Sequence, residues 1–234
     1  MTPAPEPARL LRSGVLDGVG VLVVGAEGLA PSNERAGDRD EVADRDESTV
    51  VADAVAAACA ELGARVWRRR EELPEPASVD VLAIDAAGLF WSARAEAVAD
   101  GAASPAAAAR EALRRSLELA WEITSAVANE ALIAPRRAGR VVYLAPGDAG
   151  DAGDAGDPGD PGRKPALVHV DAARAALENL ARTLSIEWAR YEITTATIAL
   201  RGAGAAADAA TLVAYLCSPA GAYFSGCVFE LGRR

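Results

Sequence analysis

Six short apolar runs punctuate the chain: Val19–Val24, Ala64–Trp67, Val79–Asp85, Arg140–Ala145, Ile193–Leu200 and Gly226–Leu231. Each is four to eight residues long and bounded by turn-forming residues. That pattern predicts strands buried on both faces rather than the alternating pattern of a half-exposed sheet. Between the runs lie stretches with helical spacing. Val50–Leu62 is alanine-rich and stops at Gly63, a natural C-terminal cap. A long helix is expected from Pro105, tolerated in a first turn, to about Ile133. Ala172–Tyr191 and Ala206–Cys217 are the remaining helices, and Ala86–Ser104 has too weak a pattern to assign. Strands alternating with helices predict a single α/β domain over residues 1–234, a doubly wound parallel sheet covered on both faces.

Two segments break the periodicity. Residues 31–49 hold seven acids against three arginines and are expected to form a solvated loop inserted after the first strand. Residues 147–162 repeat Gly-Asp-Ala or Gly-Asp-Pro five times. A collagen helix needs three chains and many more triplets, and a calcium loop needs rigid oxygens at set positions. The repeat is therefore read as a low-complexity linker.

Composition narrows the function classes. Hydrophobic residues make up 51% of the 234, so the chain can bury a core. A net charge of −10, with the arginines scattered, argues against nucleic acid and anionic membrane surfaces as partners. Cys59, Cys217 and Cys227 are an odd number with no metal-ligand spacing, as expected of reduced thiols in the cytoplasm. No metal site is predicted. The opening residues lack a signal-peptide core, and no apolar run is long enough to span a bilayer.

Three stretches carry a resemblance. Val19–Ala26 looks like the first strand of a dinucleotide-binding oxidoreductase, Asp171–Leu200 like its long helix and sixth strand, and Ser218–Gly232 like its closing segment. Together, over roughly Leu16 to Leu231, they resemble the short-chain dehydrogenase/reductases, most closely the 3-oxoacyl-reductase-like branch. The resemblance implies one Rossmann-type domain that uses NAD(H) or NADP(H).

The positions that the family uses for chemistry are occupied differently here. Its glycine-rich motif after the first strand lets the backbone approach a pyrophosphate. In this chain only Gly25 matches, Val24 takes the threonine place, and the helix that should open with Gly-x-Gly opens near Val50, Val51 and Ala52. Side chains there would crowd a phosphate, and the acidic 31–49 loop would oppose one, within the reach that salt allows. The Asn-Asn-Ala-Gly motif reads Asp85, Ala86, Ala87, Gly88. Only residues 68–78 remain where the family has a helix, a strand and another helix, so the edge strand on the adenine side is expected to be missing. Gly25, Asp85 and Gly88 are the remnants of a cofactor site.

Catalysis in the family rests on Ser, Tyr and Lys, with a helical Asn. The corresponding positions are Pro146, Val170, Arg174 and Ser116. Valine cannot transfer a proton, and arginine's planar fork does not replace an ammonium. The Pro-Gly that lies beside the nicotinamide is Leu200-Arg201. His169, next to the vacant tyrosine place, has a suitable intrinsic pKa for a general acid, but reads as a chance loop residue. Tyr143 reads as a core aromatic. Trp67, Trp91, Trp121 and Trp188 read as packing residues.

What remains family-like is the pair of long helices that the resemblance places in a four-helix bundle between subunits. Their expected interface residues are Leu113, Leu117 and Trp121 on the first, and Ala172, Ala176, Leu180, Thr183, Leu184 and Glu187 on the second. The sequence thus predicts a catalytically degenerate relative without a cofactor. It would serve as a structural or regulatory subunit beside a second copy or an active reductase-type partner. The competing readings are an NAD- or NADP-dependent oxidoreductase with an atypical site, and a small-ligand binder using the vacated cleft.

Overall fold

A computed structural model of the chain describes residues 11–29, 47–74, 77–147, 165–201 and 205–231. Six parallel strands form one sheet: β1 (Gly20–Val24), β2 (Arg65–Trp67), β3 (Val81–Ile84), β4 (Gly139–Ala145), β5 (Ile193–Leu200) and β6 (Cys227–Leu231). Their spatial order is β2-β1-β3-β4-β5-β6. The order reverses at β1, which pairs with β2 on one side and β3 on the other. Among the described residues β2 is the last strand beyond β1, so the expected absence of a further edge strand on that side holds. Residues 70–72 form only a 3₁₀ turn.

β1 and β3 are buried along their whole length, and β4 and β5 at all but one position each, because helices cover both faces. On one face α2 (Glu47–Glu61) and α6 (Ala205–Cys217) pack with β1, β3, β4 and β5 around Val21, Val23, Val142, Ile198 and Val213. On the other, α3 (Ala86–Ala99), α4 (Pro105–Val127) and α5 (Pro165–Glu187) enclose Leu22, Leu82, Ile84, Tyr143 and Leu177. A short α1 (Ala26–Leu29) follows β1.

Local chemistry explains several boundaries. Ser104 caps α4 by accepting the Ala107 amide at 3.2 Å, and Pro105 stands at the first helical position. The helix ends in a π-helical turn, Ala128–Ile133, close to its expected end. Gly63 adopts φ +100° just past α2, where a Cβ would collide with the Asp17 side chain.

Three expectations need correction. The unassigned stretch Ala86–Ser104 contains α3, started by Asp85 as its N-cap. Its alanines give little contrast between buried and exposed faces, which hid the period. Helix α5 begins at Pro165 rather than Ala172, so His169 is helical and not a loop residue. Helix α2 begins at Glu47, so residues 47–49 of the expected acidic loop are its first turn. Residues 31–46 of that loop, and 148–162 of the Gly-Asp repeat, lie outside the described residues.

Candidate functional site

In open parallel sheets, ligands bind outside the carboxyl ends of the strands where strand order reverses. Here that place lies between the ends of β1 and β3, at Gly25 and Asp85. Helix α2 comes so close that a Cβ on Gly25 would sit 3.0 Å from the Ala52 methyl and 3.7 Å from the Asp85 Cβ. A side chain at residue 25 would press on the helix, which would have to give by a few tenths of an ångström.

Asp85 is completely buried. Its Oδ1 accepts the Gly88 amide at 2.9 Å, which caps α3. Its Oδ2 is buried without a hydrogen-bond partner among the described residues. Burial disfavours the charged form and pushes the carboxyl up to about 7; the Gly88 and Ala52 amides and the Arg68 guanidinium oppose that rise, and nearby Asp53 adds to it. Two of the cofactor remnants, Asp85 and Gly88, are thus engaged with each other.

The positions that the sequence resemblance assigns to catalytic residues lie along β4, α4 and α5. Val170, where a tyrosine would stand, is fully buried in a cluster with Phe90, Ala93, Ala112 and Ala173. Phe90 comes from α3, the helix the sequence pattern concealed, and Trp91 meets it edge-on at 5.1 Å. Ser116 is buried, and its hydroxyl donates to the Leu113 carbonyl of its own helix at 3.3 Å. Pro146 is buried at the end of β4. Arg174 pairs with Asp171 at 3.0 Å and Glu178 at 3.6 Å, and its Nη1 is buried without a hydrogen-bond partner. Arg201 lies at 3.3 Å from Glu230, on the β6 side.

Tyr143 is a core residue, as its sequence context suggested. The Thr124 hydroxyl donates to the Ala120 carbonyl at 2.6 Å, so the Tyr143 hydroxyl, 3.0 Å away, donates to Thr124. Burial raises its pKa above the ordinary phenol value. His169 is half-buried on α5, one residue before Val170. The described residues include no cluster of three or more His, Cys, Asp or Glu able to hold a metal. They include no helix long and apolar enough to cross a membrane.

The expected interface residues divide. Trp121 is 47% exposed on α4, with Leu113 and Leu117 half-buried along the same stripe. On α5, Ala172, Thr183 and Glu187 are exposed and Ala176 and Leu180 half-buried. Leu184 is buried and is removed from that face. Two apolar residues the sequence reading omitted, Ile186 at 76% and Val168 at 55%, are exposed on α5. An exposed apolar residue in an otherwise helical pattern was the available signal.

The sequence reading also missed Phe90 and Trp91 as the filling beside Val170, although Ala86, Phe90, Ala93 and Ala97 recur at helical spacing. The burial of Asp85 had no local signal, because it depends on α2 arriving from a distant part of the chain.

No family profile matches this chain, and no curated protein matches it. Solved structures do. The citronellol catabolism dehydrogenase AtuB of Pseudomonas aeruginosa PAO1 superposes with a TM-score of 0.57 at 17% identity, covering 95% of this chain and 96% of its own. A 7α-hydroxysteroid dehydrogenase, solved with NADH and 7-oxo glycochenodeoxycholic acid, gives 0.57 at 14% identity, over 93% and 94%. A short chain dehydrogenase/reductase family protein gives 0.52 at 14%, over 92% and 96%. With six parallel strands in this order, helices on both faces and such coverage of both chains, this protein has the short-chain dehydrogenase/reductase fold.

Proposed function

We propose that this chain is a catalytically silent protein on a reductase fold, acting as a structural or regulatory subunit in an assembly. The observation that supports the reading is Val170, a residue without a transferable proton, packed among Phe90, Ala93, Ala112 and Ala173, at the position the sequence resemblance assigns to a catalytic tyrosine. General acid–base chemistry needs a group within hydrogen-bond reach of the reacting proton, and an apolar cluster provides none.

The cofactor implied by the fold fits the described residues poorly. A diphosphate needs close backbone approach and free amides at a helix start. Ala52 stands 3.0 Å from the Cβ direction of Gly25, the Gly88 amide is already bonded to Asp85, and an ionised Asp85 would repel a phosphate. No catalytic step is therefore derived through a nicotinamide. The proposed subunit contact uses the outer faces of α4 and α5, with Trp121 as its largest exposed apolar group. The partner is a second copy or an active reductase-type chain.

The second reading, an NAD- or NADP-dependent oxidoreductase with an atypical site, is favoured by the fold neighbour solved with NADH and by the cation retained at Arg174. Calorimetric titration with NADH and NADPH separates the two. The silent reading expects no binding tighter than millimolar, and micromolar binding overturns it. For the assembly, native mass spectrometry of the chain co-expressed with a reductase-type partner is expected to show dimers or larger species. Monomers alone would remove the subunit role, and homo-oligomers alone would remove the mixed form.

A further inference from the structure

The amino ends of the strands, opposite the Gly25–Asp85 crevice, border an open cavity of about 760 Å³. That is within the range typical of small-molecule sites. Its walls include Ile193, Pro219 and Ala222, and Arg140 of β4 lines it.

Arg140 is half-buried and forms no ion pair among the described residues. One of its nitrogens, Nη1, donates to the Ser218 carbonyl at 2.6 Å and to the Leu216 carbonyl, which anchors the guanidinium at the end of α6. Its Nε and Nη2 hydrogens have no acceptor among the described residues, and neither nitrogen is among their sealed, unpartnered atoms. A guanidinium held in place on one edge and open on the other is arranged to take a carboxylate.

The other charges on the cavity limit the ligand's charge. Asp80 is compensated by Arg137 at 2.6 Å and by the Gly20 amide at 2.8 Å. Glu192 is exposed at the edge, in a left-handed conformation with φ +58° that closes the 3₁₀ turn before β5. With two carboxylates nearby, a dianion such as phosphate is repelled more than a monoanion. The apolar walls favour a ligand with a hydrocarbon body.

We propose that this cavity is a binding site for a small amphiphilic monocarboxylate, its carboxylate on Arg140 and its apolar tail against Ile193, Pro219 and Ala222. The site stands apart from the crevice and does not depend on whether that crevice is silent.

Isothermal titration calorimetry of the full chain with sodium hexanoate, hexanol and inorganic phosphate tests it. Saturable one-to-one binding of hexanoate is expected, with hexanol weaker by about tenfold or more, one such charge-assisted contact, and phosphate not competing. Arg140→Met should weaken hexanoate by a similar factor. Because Arg140 also holds α6, Ala222→Trp serves as the second variant: it fills the cavity, leaves the arginine in place and should abolish binding. Asp85→Asn, at the far end of the sheet, should leave binding unchanged. The proposal is overturned by no saturable binding at ~10 mM hexanoate, an affinity too weak to be specific. Equal binding of hexanoate and hexanol, competition by phosphate, or undiminished binding in the Ala222→Trp variant would also overturn it.

Discussion

Asp80 and Asp85 stand at the two ends of β3 and live in opposite environments. At the amino end, Asp80 is partly exposed and uses both oxygens, one for Arg137 and one for the Gly20 amide, joining β1, β3 and the approach to β4. At the carboxyl end, Asp85 is sealed off, makes one bond to Gly88 and leaves Oδ2 without a partner. A carboxylate with water and a cation can stay charged, whereas one buried without a cation is driven toward its protonated form. The same contrast runs across the molecule. At the carboxyl ends of β1 and β3, Ala52 and Asp85 stand close to Gly25, while the amino ends border a cavity and present an arginine.

The largest expected effect sharpens that contrast. Asp85 is raised to about 7 in the folded chain, so the folded state holds its proton over a range where the unfolded chain has lost it. Below about pH 4 both states are protonated and Asp85 costs nothing. As pH rises from about 4 toward 7, stability falls, and it levels off above that. From the usual Asp value, the full loss is roughly 4 kcal/mol. Asp85→Asn should remove this dependence, stabilising the chain at pH 8 by roughly that amount and much less at pH 5. Urea unfolding at the two pH values measures it. Parallel pH profiles for the variant and the parent would mean that Asp85 is ionised and paired, and the contrast with Asp80 would collapse.

A smaller effect probes the packing beside the crevice. Val170→Tyr supplies the residue that the sequence resemblance expects there, but places a ring where Phe90 and Ala112 already fill the space. It should destabilise by about 1–3 kcal/mol, the usual cost of overpacking a core, and produce no NADH oxidation. A stable Val170→Tyr variant that oxidises NADH would show the site to be latent rather than closed.

The smallest effect lies at the amino end. Arg137→Met removes the cation from Asp80, but both partners are more than a third exposed. A loss of at most ~1 kcal/mol is expected, diminishing at high salt. A larger loss, insensitive to salt, would place Asp80 in the same class as Asp85.

Much of the fold was legible in the chain. The runs at Ile193–Leu200 and Arg140–Ala145 are strands because continuous apolar residues bounded by turns leave few alternatives. Pro105 and Gly63 mark a helix start and a helix end because each favours that backbone state. The site was legible only as substitutions. Val170 and Pro146 lack the needed groups wherever they fold, but nothing local indicated that Phe90 would pack onto Val170. Helix α3 was obscured because alanines blur the difference between its two faces.

Composition, periodicity and residue identity therefore determined the sequence of strands and helices and the parallel sheet, since these are properties of the residues and their neighbours along the chain. Tertiary structure alone decided that Asp85 is buried without an ion pair among the described residues and that Leu184 faces inward. It also decided that Arg140 keeps free donors in an open cavity. Each of these depends on which distant segment arrives beside the residue, and the cost of burying a charge or leaving a donor open is set by that neighbour.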